Sequence, residues 1–262
     1  MHSAALDRFD LTGTVAWVVG GSGHLGAASS RALAEHGAHV VIAGRDRDHS
    51  KAVVDDIIAD GLSAETQMID VGDADSVASA ASSLMATHGR LDTCVNFAYG
   101  SSGASFGEIT LEQWETGLRL SGTGAFVVAR EAGARMTAGA SIVQVASMYG
   151  LVAPDPANYP QGVGINPPDY GFAKAGVIQL VRYQAVVLGP QGIRVNAISP
   201  GPFPGPAARA IPGFQERLEA RVPLHRVGEP HELTGAVVFL ASNASSFVTG
   251  TNIVVDGGWT AW

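Results

Sequence analysis

A doubly wound α/β fold, one parallel sheet of about seven strands with helices on both faces, is what this sequence predicts. Three observations carry that reading. Short runs rich in β-branched residues alternate with helix-length segments along the whole chain. Most of these runs are apolar throughout, the pattern of strands covered on both faces. No charge run, low-complexity tract or polar linker divides the 262 residues, so strand and helix repeat within a single domain, residues 1–262, after a short N-terminal lead.

The first strand is VAWVV at 15–19, and a helical segment, LGAASSRALAEHG, follows its glycine-rich loop. HVVIA at 39–43, AETQMID at 64–70 and LDTCVN at 91–96 continue the alternation. The second half adds SIVQVAS at 141–147, IRVNAIS at 193–199 and NIVVD at 252–256, giving seven strands expected to be buried on both faces. Two stretches break the rhythm. Residues 151–169 hold five prolines and read as a loop inserted over the site. Residues 199–223 mix proline–glycine turns with a short amphipathic piece and read as a substrate-binding flap. Both follow strands, at the edge where open α/β sheets bind ligands.

Composition narrows the function. A net charge of −8 with scattered Lys and Arg argues against a nucleic-acid surface. No apolar run approaches the roughly 20 residues of a membrane helix, and no signal-peptide stretch opens the chain. A single cysteine, Cys94, excludes an internal disulfide, so a cytoplasmic location is expected. The eight histidines never pair at metal-ligand spacing, and no metal is expected.

The loop after the first strand reads GGSGHLG, residues 20–26. Gly21, Gly23 and Gly26 satisfy G-x-G-x-x-G between a strand and a helix, where glycines let the backbone approach a pyrophosphate and the helix N-terminus meets its charge. Gly20, Ser22, His24 and Leu25 complete this expected dinucleotide cradle, His24 bordering the groove. The second strand ends IAGRDRD. Gly44 stands where an acid would hold a ribose 2′-hydroxyl, and Arg45 follows with a guanidinium able to clamp a 2′-phosphate. NADP(H) is therefore the expected cofactor and NAD(H) the alternative. The plainer reading makes Arg45 and Arg47 a solvated turn paired with Asp46 and Asp48. Asp70 and Val71, ending the third strand, are placed beside the adenine, or Asp70 caps the next helix.

The stretch DYGFAK, 169–174, sets Tyr170 four residues before Lys174, one of only two lysines in the chain. Residues i and i+4 share a helix face. A phenol with an ordinary pKa of about 10 needs a nearby cation to exchange protons near neutrality, and a compact ammonium can supply it.

In this company the chain resembles the short-chain dehydrogenase/reductase family over essentially its whole length. The resemblance rests on the glycine loop, YGFAK as the family's Y-x-x-x-K, Ser147 in VASMYG, IRVNAISPG at 193–201 and VTGTNIVVDGG at 248–258. It implies a Rossmann-type NAD(P)-binding fold and reversible hydride transfer to a small carbonyl or from a secondary alcohol. Tyr170 is then the general acid or base, and Ser147 the hydrogen-bond donor to the substrate oxygen. Lys174 binds the nicotinamide ribose and lowers the tyrosine pKa. Pro200 and Gly201 match the turn lining the nicotinamide.

Four departures from the family pattern stand out. Against the family's usual T-G-x-x-x-G-x-G, His24 stands in place of the middle glycine, and the loop aligns more closely as a T-G-x-x-G-x-x-G variant. The family's N-N-A-G turn has become NFAY, keeping Asn96 and Ala98, with Phe97 and Tyr99 able to shape a pocket. Ser121 stands at the position of the family's helical proton-relay asparagine and is a candidate catalytic group for a slower relay, a serine there being able to bond a backbone carbonyl or a water. Ser147 and Tyr170 lie 23 apart (170 minus 147), so the proline-rich insertion covers the site. Tyr159, with Asp155, Asn158 and Gln161, and Phe203 in the flap are candidate substrate contacts. Tyr159 could itself be catalytic by spacing, but position 163 is valine rather than lysine.

The family also implies a homo-oligomer, a tetramer or dimer, with the C-terminal DGGWTAW and the ELTGAVVFLAS helix as interface pieces. An epimerase or dehydratase of the same fold, or a non-catalytic NADP(H)-binding regulator, are the alternatives.

Overall fold

The computed structural model describes residues 6–262. Seven strands form one parallel sheet in the order β3-β2-β1-β4-β5-β6-β7. They are β1 Val15–Val19, β2 His39–Gly44, β3 Ala64–Met68, β4 Thr93–Asn96, β5 Ser141–Val145, β6 Arg194–Pro200 and β7 Asn252–Val255. Each of the seven strand segments read from the sequence is present.

Alternate residues of β1 explain why one short run needs to be apolar throughout. Val15, Trp17 and Val19 join one core, while Ala16 and Val18 join the other. The helices α1 His24–Glu35, α2 Arg47–Ala59 and α9 His231–Ala241 cover one face; α3 Ala74–His88, α5 Gly124–Gly133 and α6 Pro168–Leu188 cover the other. Three further helices, α4 Leu111–Leu118, α7 Pro206–Arg209 and α8 Phe214–Arg221, lie outside these layers. Trp17 keeps its indole N–H inside the core because Nε1 donates to Gln67 Oε1 at 2.8 Å. The expectation of burial on both faces is corrected at the two edges. β3 leaves Thr66 and Met68 exposed, and no residue of β7 is fully buried, because an edge strand has a neighbour on one side only.

Arg194 shows how the buried polar groups are handled. It sits within the protein and donates to the carbonyls of Leu240 and Ser242 and to Ser245 Oγ. Its charge thereby meets the carbonyl end of α9. Asp73, rather than Asp70, caps α3 by accepting from the Asp75 N–H at 3.0 Å.

The insertion 151–169 is mostly irregular, with one helical turn at Pro156–Asn158, and its last two residues already belong to α6. Pro168 opens that helix, where a missing N–H costs nothing. The stretch 199–223 begins in β6 and then carries α7 and α8. The two segments expected at subunit contacts are in large part built into the chain's own core. Trp259 is buried with Met148, Leu218, Val222 and Val227, and α9 turns Leu233, Val237 and Leu240 into the core, while Ala261 and Trp262 at the C-terminal end stay exposed. No helix among the described residues is long and apolar enough to cross a membrane. Although no histidines pair at metal-ligand spacing along the sequence, the pairing of β2 with β3 and the end of α3 bring His39 and His88 together at Glu65.

Candidate active site

β1 and β4 are neighbours from which the sheet grows in opposite directions, so their loops part and leave a crevice at the carboxyl ends of the strands. Gly20 ends β1 at φ +74°, where a Cβ would lie 2.8 Å from the Ala98 nitrogen, and a Cβ on Gly26 would collide with the Gly20 carbonyl oxygen. Only glycine permits both approaches. Gly20, Gly23 and Gly26 line the crevice, with Gly23 at the N-cap of α1. The second alignment of the loop is therefore the one the backbone follows. Gly21 is corrected: it is buried against Val18 and Ser30, away from the groove.

The crevice comprises two cavities of about 380 and 270 Å³ that share Gly20, Gly23, Phe97 and Tyr99. His24 and Leu25 line the first. Burial, reinforced by Arg209, holds the His24 imidazole below its ordinary pKa. Ser22, Gly44, Arg45, Val71 and Ala98 line the second. Arg45 is exposed there, and no salt bridge joins Arg45 or Arg47 to an acid among the described residues. Asp46 instead caps α2 through the His49 N–H at 3.0 Å. Asp70 is turned away from the groove, its Oδ1 accepting from the Gly72 N–H at 2.9 Å, while Ile69 and Val71 provide the wall. Asn96 acts from beneath, its Oδ1 accepting from Ala98 N–H and its Nδ2 donating to Gln144. A glycine cradle at a helix N-terminus, opening onto a free guanidinium, fits a dinucleotide carrying phosphate charge.

The first cavity ends at Ser147, Tyr170 and Lys174, with Pro200, Gly201 and Phe203 along its wall. Ser147 follows β5 in extended conformation, and its Oγ accepts from the Tyr149 N–H at 3.1 Å. Burial pushes the Tyr170 phenol up to about 12, outweighing the opposing effect of the neighbouring Ser147 hydroxyl. Lys174 Nζ donates to the Val145 carbonyl at 2.6 Å and sits 5.6 Å from the Tyr170 ring centroid. Burial brings this ammonium down to about 8. The lowered tyrosine pKa expected from Lys174 is thus corrected for the protein alone. Both groups have lost water, and the ammonium's nearest acceptor is a carbonyl.

The profile of a family described as Enoyl-(Acyl carrier protein) reductase matches residues 23–260. The chain belongs to the short-chain dehydrogenase/reductase family. It is 37% identical to cis-4-hydroxycyclohexanecarboxylate dehydrogenase of Sinomonas cyclohexanicum, covering 94% of this chain and 96% of that one. It is 33% identical to the ribulose-forming D-arabinitol 2-dehydrogenase of Scheffersomyces stipitis, covering 100% and 99%. A solved gluconate 5-dehydrogenase from Burkholderia cenocepacia, in complex with NADP and tartrate, superimposes with a TM-score of 0.87 at 30% identity, covering 98% and 99%. This short-chain dehydrogenase/reductase is an NAD(P)-dependent oxidoreductase acting on CH–OH and C=O groups.

Several residues of this dehydrogenase/reductase take positions the sequence did not disclose. Ser121 lies in a π-helical turn, Arg119–Thr123, between α4 and α5. Its hydroxyl donates to the Gly100 carbonyl at 2.5 Å and accepts from the Gly100 N–H at 3.0 Å. Both bonds hold the loop after β4, and Ser121 does not line the cavity that Lys174 enters, which corrects its placement as a relay group. Asp169, fully buried beside Tyr170, fastens the same loop further on, accepting from Ser102 N–H at 2.8 Å and Ser102 Oγ at 2.7 Å. An acid in the first turn of a helix is an ordinary sequence feature, so nothing in the spacing marked it. Immediately before these clamped residues, Tyr99 meets Tyr170 in a T-shaped arrangement at 5.7 Å between ring centroids. Phe97 is both core and cavity wall.

Tyr159 is corrected as a direct substrate contact. Its hydroxyl pairs with that of Tyr149 at 2.8 Å, its ring packs on Phe214 of α8, and it lines neither cavity of the crevice. Arg217 donates to the Ala157 carbonyl, so insertion and flap are joined to each other. Asp155 caps its own turn, and neither Asn158 nor Gln161 lines the crevice. Phe203 lies on the wall of the first cavity.

Proposed function

We propose that this enzyme transfers hydride between NADP(H) and a small ketone or its secondary alcohol, with Tyr170 exchanging the proton. One observation carries the reading: Ser147, Tyr170 and Lys174 converge at the end of a groove that begins at the glycine loop. Gly20, Gly23, Gly26, Arg45 and Lys174 would hold the cofactor, whose nicotinamide, when bound, supplies or accepts the hydride. In the reducing direction Tyr170 gives its proton to the carbonyl oxygen while the Ser147 hydroxyl donates a hydrogen bond to that oxygen. The phenol's raised pKa keeps this proton in place at neutral pH, which supports reduction as the working direction. Lys174, fully buried beside the phenol ring, is the cation against which phenolate charge develops.

Phe97, Tyr99, Val145 and Phe203 make the walls apolar and confine polar atoms to the reacting end, which suits a compact carbon skeleton. A ring of the hydroxycyclohexanecarboxylate type named for the Sinomonas relative is such a skeleton. The 2′-phosphate of NADP(H) is assigned to Arg45, supported by its free guanidinium. A homo-oligomer is supported by the exposed Phe126 of α5 and Phe172, Tyr183, Val186 and Val187 of α6, and a cytoplasmic location by the lone, buried Cys94.

The test is cofactor oxidation, followed at the nicotinamide absorbance band, with NADPH or NADH and a panel of cyclic keto acids, short ketones and ketoses. Turnover with NADPH on cyclic ketones is the expected result. Tight cofactor binding without turnover on any carbonyl would move the assignment to an isomerase or a regulator.

A further inference from the structure

At the opposite end of the sheet from the crevice, three potential metal ligands converge from separate elements. His39 is the first residue of β2, Glu65 the second of β3 and His88 the last of α3. One ligand atom from each lies within 4.8 Å of the other two. His88 Nε2 is 2.9 Å from Glu65 Oε1, and His39 Nε2 is 3.9 Å from Glu65 Oε2. A tetrahedral Zn²⁺ with bonds near 2.0–2.1 Å separates its ligand atoms by about 3.4 Å, between these two distances.

The second observation is an orphan. His39 Nδ1 is engaged with Ser63 Oγ at 2.7 Å, while its Nε2 is buried with no hydrogen-bond partner. A hydrogen bond at one ring nitrogen with the other nitrogen left unpartnered is the arrangement of a metal-binding imidazole. An ion pair between His88 and Glu65 alone leaves that Nε2 unexplained. The carbonyl end of α3 adds negative potential at the same place.

We infer that His39, Glu65 and His88 form a binding site for a zinc-class divalent transition metal ion. The ion would tie the starts of β2 and β3 to the end of α3, with a fourth position left to water. Five residue steps along β2 separate it from Gly44, about 16 Å, so it acts on the fold and not on hydride transfer.

The experiment is calorimetric titration of Zn²⁺ into chelator-treated full-length protein, with thermal unfolding read in parallel and Co²⁺ absorption reporting tetrahedral geometry. Wild type is expected to bind one equivalent and to unfold about 5 °C higher at saturating Zn²⁺. Glu65→Gln and His88→Gln, at partly exposed positions where folding is checked by circular dichroism, are each expected to weaken binding at least about 10-fold and abolish the shift. Absence of binding by wild type, or wild-type affinity in either variant, would overturn the site.

Discussion

Replacing Arg45 by alanine isolates the group proposed to read the cofactor's 2′-phosphate. Arg45 is exposed and joined to no acid, so its loss should change unfolding stability by less than about 0.5 kcal/mol. The neighbouring anion, Asp46, accepts the His49 N–H on its Oδ1 at 3.0 Å and makes no salt bridge with Arg45 among the described residues. A hydrogen bond between charged groups contributes roughly 1.5–3 kcal/mol, and solvent at this open site places Arg45 in the lower part of that range, about 1.5–2.5 kcal/mol. Converted, that is a rise of about 10- to 70-fold in the Kd for NADPH, with the Kd for NADH nearly unchanged. Titration of nicotinamide fluorescence at low ionic strength measures both constants. Equal weakening of NADPH and NADH, or no change in either, would refute the assignment of the phosphate to Arg45.

Three further perturbations address the scaffold. Gly26→Ala forces a Cβ against the Gly20 carbonyl, so NADPH affinity should collapse while unfolding costs about 1–3 kcal/mol, read by titration and by denaturant. Asp169→Ala strands the Ser102 N–H and hydroxyl and should cost about 3 kcal/mol in unfolding free energy, with kcat reduced as Tyr99 loses its support beside Tyr170. For Lys174 the sign follows from a folded pKa near 8 against an ordinary 10.5: the unfolded chain binds the extra proton between those values, so stability rises with pH there. Lys174→Met should abolish that rise, and without cofactor it should exceed wild type in stability by up to about 3 kcal/mol below pH 8, as urea unfolding across pH would record.

The interior of the sheet was legible because five strands sit between two helical layers, and that burial demands unbroken apolar runs such as VAWVV. Tyr170, Lys174 and the glycine loop were legible because their geometry is local, set by one helix turn or one strand–helix junction. What escaped depends on contacts between distant segments. Asp169 reaches Ser102 across 67 residues, Ser121 grips Gly100 across the chain's turn after β4, and Tyr159 turns to Tyr149 instead of the crevice. His39, Glu65 and His88 belong to the same class, since the register of β2 with β3 brings His39 beside Glu65 and the end of α3 brings in His88. Electrostatics was the other blind spot: the i, i+4 spacing promised a cation beside the phenol, whereas burial decides both pKa values in the protein alone.

Proton transfer by Tyr170 is the central claim, and Tyr170→Phe tests it most directly because the ring keeps its packing against Tyr99 and only the hydroxyl is lost. The measurement is the rate of NADPH oxidation with a turned-over ketone, set beside the NADPH Kd of the same variant. The account predicts an unchanged Kd and a fall in kcat of about 10²- to 10⁴-fold. A kcat within tenfold of wild type, with cofactor binding intact, would contradict it.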